Sequence, residues 1–246
     1  MGFVADQTRV IRSDDEQRDA LLNAGWKIVA RSWGAQLNAD DTHTGQLDAL
    51  IARVAETVTV RELVNADRAA MLALDASTAS DYPGGIATEH PPLTDESATL
   101  HRRRRAFGAW SPDGELVAMT VVDVDGDRAE TDFTVVARPS RGLGVGAGVK
   151  AASVKELLSD GVRVFRTGGS AENAGSLATN TSVGYRIDEE WLTLRLWSNV
   201  PFAGPPIDTA QRDGLRGVGL AVHPKGITPL SSPGAGYLPH PQGPPQ

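Results

Sequence analysis

The chain has 246 residues, a formal net charge of -7, 40% hydrophobic and 22% charged residues, and no cysteine. That length fits one or two soluble globular domains, and the missing cysteines exclude disulfides, thiolate metal sites and a cysteine nucleophile. The acidic balance argues against nucleic acid as the main partner. No apolar run reaches the ~18–20 residues of a membrane span, and MGFVADQTRV lacks the basic region and apolar core of a secretory signal, so the expected location is cytoplasmic.

Residues 8–12 read as a strand. Ser13 is expected to cap a short helix, with Glu16 in capping-box position, and Gly25 to end it after Asn23. Residues 26–37 read as a second strand. A helix is expected over 46–56, where Leu47, Leu50, Ile51 and Val54 fall at helical spacing. This segment resembles a later part of the same chain. Arg9-Val10-Ile11-Arg12-Ser13 parallels Arg163-Val164-Phe165-Arg166-Thr167, and Gly25-Trp26-Lys27-Ile28 parallels Gly184-Tyr185-Arg186-Ile187, with five fewer residues between the blocks. Residues 1–57 therefore read as a degenerate half-repeat or as a chance likeness between two strand–helix–strand units. Either way the segment is too apolar for a free tail, and its expected place is beside the main sheet.

Residues 58–63 read as a strand, followed by a helix over 68–75 that Asn65 or Asp67 can cap. Residues 77–94 are rich in turn formers, including Tyr82-Pro83-Gly84-Gly85 and Pro91-Pro92, and read as a loop or lid. A helix is expected over 95–107. It carries Arg102 to Arg105, read first as a solvated face and second as contacts to a phosphate or an acceptor's carboxylate. Ser111-Pro112-Asp113-Gly114 lies between apolar runs at 106–110 and 116–124, which is a hairpin signal. A further turn at Asp125-Gly126-Asp127 leads into the stretch that organises the chain.

That stretch is residues 131–150, TDFTVVARPSRGLGVGAGVK. Phe133, Thr134, Val135 and Val136 are strand formers, Pro139 and Ser140 end the strand, and a glycine-rich run opens a helix over 149–158. Strand, glycine turn and helix in that order suit a polyphosphate. Glycine lets the backbone approach a ligand, and the first helical N–H groups and the helix dipole favour an anion. Gly142, Gly144 and Ala147 meet the dinucleotide fingerprint, but that reading needs an acid after the next strand, where the chain has Arg166, Thr167, Gly168 and Gly169.

Arg141, Gly144 and Gly146 also form Arg-x-x-Gly-x-Gly. Downstream, Asn173 and Ser176 open a segment that Gly184-Tyr185 close. Both motifs, in this order after an antiparallel meander, resemble the GNAT superfamily of acyl-CoA-dependent N-acyltransferases. The likeness covers roughly residues 58–197. It implies an α/β fold, with a mixed, mainly antiparallel sheet and helices on both faces. It implies acetyl-CoA as cosubstrate, no metal, and a small-molecule or peptide amine as acceptor. Arg141, Gly142, Leu143, Gly144, Val145, Gly146 and Ala147 would hold the pyrophosphate. Main-chain groups of Val135, Val136 and Ala137 would pair with the pantetheine arm, and Val136 N–H would polarise the thioester carbonyl. Asn173 and Ser176 would meet the arm from the other side, although Asn173 also suits a helix N-cap. Lys150 could reach a phosphate.

An alkylammonium acceptor needs a base. Asp132 is the first candidate, with Glu130 on the same face of the strand and Asp81 as a rival. Many members of the superfamily carry a tyrosine acid seven residues after the motif asparagine; this chain has Asn180 there, with Tyr185 and Tyr82 as substitutes. The departure keeps open a second function, a CoA-binding regulatory or structural protein. The five histidines show no metal spacing, and no Gly-x-Ser-x-Gly elbow occurs. Ten of the fifteen prolines lie between Pro201 and Pro245, so the last segment has no core of its own. The expected organisation is residues 1–57 as the half-repeat and linker, 58–198 as the acyltransferase domain and 199–246 as a Pro/Gly-rich tail. A second copy of the chain is a further candidate partner.

Overall fold

The computed structural model describes residues 4–81 and 90–198. The expected tail at 199–246 and the Tyr82-Pro83-Gly84-Gly85 turn lie outside these residues.

Eight strands form one sheet: β1 (Val4–Arg12), β2 (Lys27–Asn38), β3 (Thr59–Glu62), β4 (Arg104–Trp110), β5 (Leu116–Asp125), β6 (Arg128–Val136), β7 (Val164–Ser170) and β8 (Arg186–Ser198). The order across the sheet is β1-β8-β2-β7-β6-β5-β4-β3. Every pairing is antiparallel except β6 with β7. The helices are α1 (Arg18–Asn23), α2 (Thr44–Ala52), α3 (Arg68–Thr78), α4 (Val145–Ser159) and α5 (Ala174–Val183). The expected mixed sheet with helices on both faces is what forms. One face packs Leu47, Val54, Phe107, Val149, Val154 and Phe165 under α2 and α4. The other packs Leu63, Met71, Leu74, Met119 and Phe133 against α3.

The Ser111–Gly114 hairpin forms as expected, with Gly114 at φ +82. Three expectations are corrected. Residues 95–107 are not a helix, because residues from Arg104 onward pair with β5, Arg104 opposite Asp123 and Phe107 opposite Thr120. Strand alternation sends the two arginines to opposite faces. Arg104 reaches Asp123 and Asp132, and Arg105 reaches Glu62 and Asp160. They are therefore neither a solvated helix face nor ligand contacts. Secondly, α1 begins at Arg18. No side chain caps it, Ser13 included, and Asp15 accepts the N–H of Gln17, the residue before the helix, at 2.8 Å.

The third correction concerns the N-terminal segment, which lies within the sheet. β2 fills the slot between β7 and β8, and β8 fills the slot between β1 and β2. Neither strand–helix–strand unit pairs its own two strands, so each leaves a gap that only the other closes. Backbone groups in such a gap need partners, which is why the segment cannot stand beside the sheet. Packing reinforces it. A Cβ at Gly148 of α4 would stand 2.7 Å from Val54, just after α2, so glycine lets the two meet. A Cβ at Gly169 of β7 would stand 2.7 Å from the Trp33 indole of β2.

Candidate active site

β6 and β7 pair only over Arg128–Glu130 and Val164–Arg166. Beyond that β6 stays with β5 and β7 stays with β2, so the two part and leave a cleft of about 590 Å³. Val121 opposes Phe133 and Val122 opposes Thr131, which makes Asp132 the extra residue of a bulge at the cleft's edge.

The main chain of β6 is apportioned by the ladder. Ala137 N–H donates to the Val117 carbonyl at 2.8 Å. Alternation then turns Val135 N–H toward β5 and Val136 N–H away from it, to the β7 side. Of the three residues expected to pair with a pantetheine arm, Val135 and Ala137 have their N–H groups committed to β5, and Val136 alone presents one to the cleft. The Val136 carbonyl accepts from Arg141 Nε at 2.9 Å.

Beyond β6 the chain turns through Gly142 (φ +74) and Gly144 (φ +84). Gly144 is the N-cap of α4 in the left-handed region, and no side chain caps the helix. The first amides from Val145 onward are thus left to a ligand. Arg53, from the turn after α2, places its guanidinium 3.3 Å from where a Gly144 Cβ would stand. Its side chain has no ion pair or hydrogen bond among the described residues. Arg141 binds Asp81 at 2.8 Å, and Arg138 binds the other oxygen of the same carboxyl. Arg138 first and Arg141 second hold the Asp81 carboxyl below the usual carboxylate range. Asp81 is thus a poor base tied to the arginines beside the glycine loop, against its expected catalytic role.

On the β7 side, Asn173 caps α5, accepting from Ser176 N–H at 2.9 Å. Asn180 donates Nδ2 to the Ser176 carbonyl at 2.8 Å, which fixes its amide orientation. Its Oδ1 is then buried with no partner, while the residue is 3% exposed and lines the cleft. Trp33 supports this corner, donating Nε1 to the Ser170 carbonyl at 3.2 Å.

The wall on the α3 side carries two groups. Asp132 accepts from Arg104 at 2.8 Å. His90, which sequence reading dismissed with the other histidines, has Nε2 2.8 Å from Asp75 Oδ1, and Leu93 N–H donates to Asp75 Oδ2 at 2.8 Å. Asp75 is 2% exposed. The His90 ring lies 4.1 Å from that of Phe133, next to Asp132. Only spacing within α3 and an apolar neighbourhood could have hinted at this pair, since its members are brought together by the fold.

At the apex, where the strands part, Lys150 points inward, away from the glycine loop. It is 2% exposed and donates to Thr167 Oγ1 at 2.9 Å. Its ammonium lies 5.0 Å from the Tyr185 ring centroid. Burial pushes its pKa down to about 7. Burial first, with the nearby Thr131 side chain a smaller opposing influence, raises the Tyr185 hydroxyl well above the usual tyrosine value, so it is a poor substitute acid. Tyr82, the other substitute, lies outside the described residues. Among the described residues no cluster of histidines and carboxylates could hold a metal, and no helix is long and apolar enough to cross a membrane.

No protein-family model matches the chain, and no curated protein matches it. Solved structures do. A GCN5-related N-acetyltransferase from Sphaerobacter thermophilus matches with a TM-score of 0.59 and 17% identity, over 77% of this chain and 59% of that one. One from Kribbella flavida matches with a TM-score of 0.54 and 14% identity, over 76% of this chain and 67% of that one. A tandem GNAT protein from the clavulanic acid biosynthesis pathway matches with a TM-score of 0.51 and 18% identity, over 80% of this chain and 63% of that one. The chain thus spans under two thirds of the first and third of these. At such identities the likeness is one of architecture: the chain has the fold of the GCN5-related N-acetyltransferases.

Proposed function

We propose that the chain is an acyl-CoA-dependent N-acyltransferase that moves an acetyl group to a primary amine of a small molecule or peptide. One observation carries this reading. β6 and β7 part beside an outward Val136 N–H, and the parting ends at an uncapped helix N-terminus opened by left-handed Gly144. In this reading the amides from Leu143 to Ala147 bind the pyrophosphate, with Arg53 adding a cation from the N-terminal segment. The Asn180 Oδ1 atom, buried and unpaired, suits an amide N–H of the pantetheine arm, and Asn173 and Ser176 line the same side. Residues 58–198 form the acyltransferase unit, and residues 1–57 complete its sheet.

The chemistry is direct transfer. The acceptor ammonium gives a proton to a wall group, Asp132 or His90. The neutral amine attacks the thioester carbon, a C–N bond forms, the C–S bond breaks, and the thiolate takes up the proton that the nitrogen loses on becoming an amide. Val136 N–H donates to the carbonyl oxygen as it gains charge. A screen of amine classes with acetyl-CoA, read as free thiol, tests the function. Thiol release that depends on one amine class is expected. CoA binding with no amine-dependent release would favour the regulatory alternative.

A further inference from the structure

Lys150 has no use in the transfer just described, and its surroundings are unusual for a cation. Helix α4 carries it to the point where β6 and β7 part. Thr167 is the first residue of β7 past the parallel pairing, and Thr131, near Tyr185, is the first of β6. The amine therefore sits at the closed end of the cleft that it lines. An ammonium has three donors. One meets Thr167, the Tyr185 ring offers its face, and no carboxylate pairs with Lys150 among the described residues. A buried charge without a counter-ion is costly, and leucine or methionine would fill the same place without that cost. Of the side chains lining the cleft, Arg141 is the other basic one, and it is tied to Asp81 at the opposite end. Two further carboxylates line the cleft: Asp132, paired with Arg104, and Glu130, which strand alternation turns to the face opposite core Ala129. The cleft thus holds at its apex one basic side chain with no carboxylate partner among the described residues.

We infer that Lys150 binds a carboxylate at the far end of the acyl group, so that the preferred donor is a dicarboxylic acyl-CoA of the malonyl or succinyl kind. The inference rests on the acyl-CoA reading above and specifies its donor. The amine lies near the balance point between its charged and neutral forms, and an anion beside it favours the charged one. Thr167 then orients Nζ, leaving its remaining N–H groups for the carboxylate.

Calorimetric titration of the full-length protein with acetyl-CoA, malonyl-CoA and succinyl-CoA tests this. The wild-type protein is expected to bind one of the two acidic esters about tenfold or more tighter than acetyl-CoA, the scale of one charge-assisted hydrogen bond. In K150M that ratio falls toward one, and in T167V it falls part of the way. Equal affinity of the wild-type protein for all three esters overturns the Lys150 inference and leaves the acyl-CoA reading standing. A preference for an acidic ester that K150M retains also overturns it. Binding of none of the three overturns both. The wild-type comparison needs no variant to fold.

Discussion

Two groups on the cleft wall compete to take the acceptor's proton. Asp132 is ion-paired to Arg104 and must share that pair to act. His90 is oriented by Asp75, itself fixed by Leu93 N–H, and donation of Nε2–H to Asp75 makes Nδ1 the basic nitrogen. Glutamine at position 90 keeps a donor for Asp75 but cannot accept a proton at neutral pH. If His90 is the base, H90Q lowers transfer to an alkylamine by roughly 100–10,000-fold, with CoA affinity kept. If Asp132 is the base, D132N does so instead. Rates for both variants with the amine found by the screen decide between them, and unaffected rates in both assign the task to water. Lys150 gives a second test at this scale. Its folded pKa of about 7 lies below its ordinary 10.5. Between those values the unfolded chain holds a proton that the folded chain lacks, so this group makes stability rise with pH across that window, and below it the buried ammonium costs most. K150M should therefore raise Tm over wild type most below about pH 7 and progressively less toward about pH 10. An equal shift at every pH would contradict a buried, titrating amine.

The elements show what local pattern can and cannot reveal. β1, β2, the β4–β5 hairpin, β6, α4 and α5 were legible, because alternation, turn residues and the glycine run are local signals. The beginning of β4, at Arg104 and Arg105, was hidden by the good helix formers around its arginine run. Pairing with β5 and carboxylates from four distant positions decided its form. The place of β2 was equally hidden, since adjacency in a sheet is no property of either strand alone. It predicts a severe cost for losing the segment. Deleting residues 1–45 removes β2 and leaves β7 and β8 with unpaired edges, so insoluble or unfolded protein is expected. The milder W33A should cost roughly 3–5 kcal/mol, measured by denaturant unfolding. A truncated protein that melts like the full chain would contradict the interleaved sheet.

Across the whole molecule the cleft is assembled from remote parts. The glycine loop and Asn173 were readable as motifs. Arg53, Trp33, the Asp75–His90 pair and the Lys150–Thr167 contact were not, because each joins segments far apart in sequence. The same holds for the split roles along β6, where the ladder with β5 decides that, of Val135, Val136 and Ala137, only Val136 turns its N–H to the cleft. The claim joining these parts is that the cleft binds a CoA thioester through the N-terminus of α4. Replacing Gly144 tests it, since valine at φ +84 strains the loop by roughly 1–3 kcal/mol and stands where a phosphate must approach. The direct measurement is calorimetry of the wild-type protein and G144V with acetyl-CoA and with NADH, with Tm recorded to confirm that the variant is folded. Acetyl-CoA binding by the wild type alone, and no NADH binding by either, is the expected result. NADH binding without acetyl-CoA binding, or wild-type acetyl-CoA affinity in folded G144V, would contradict it.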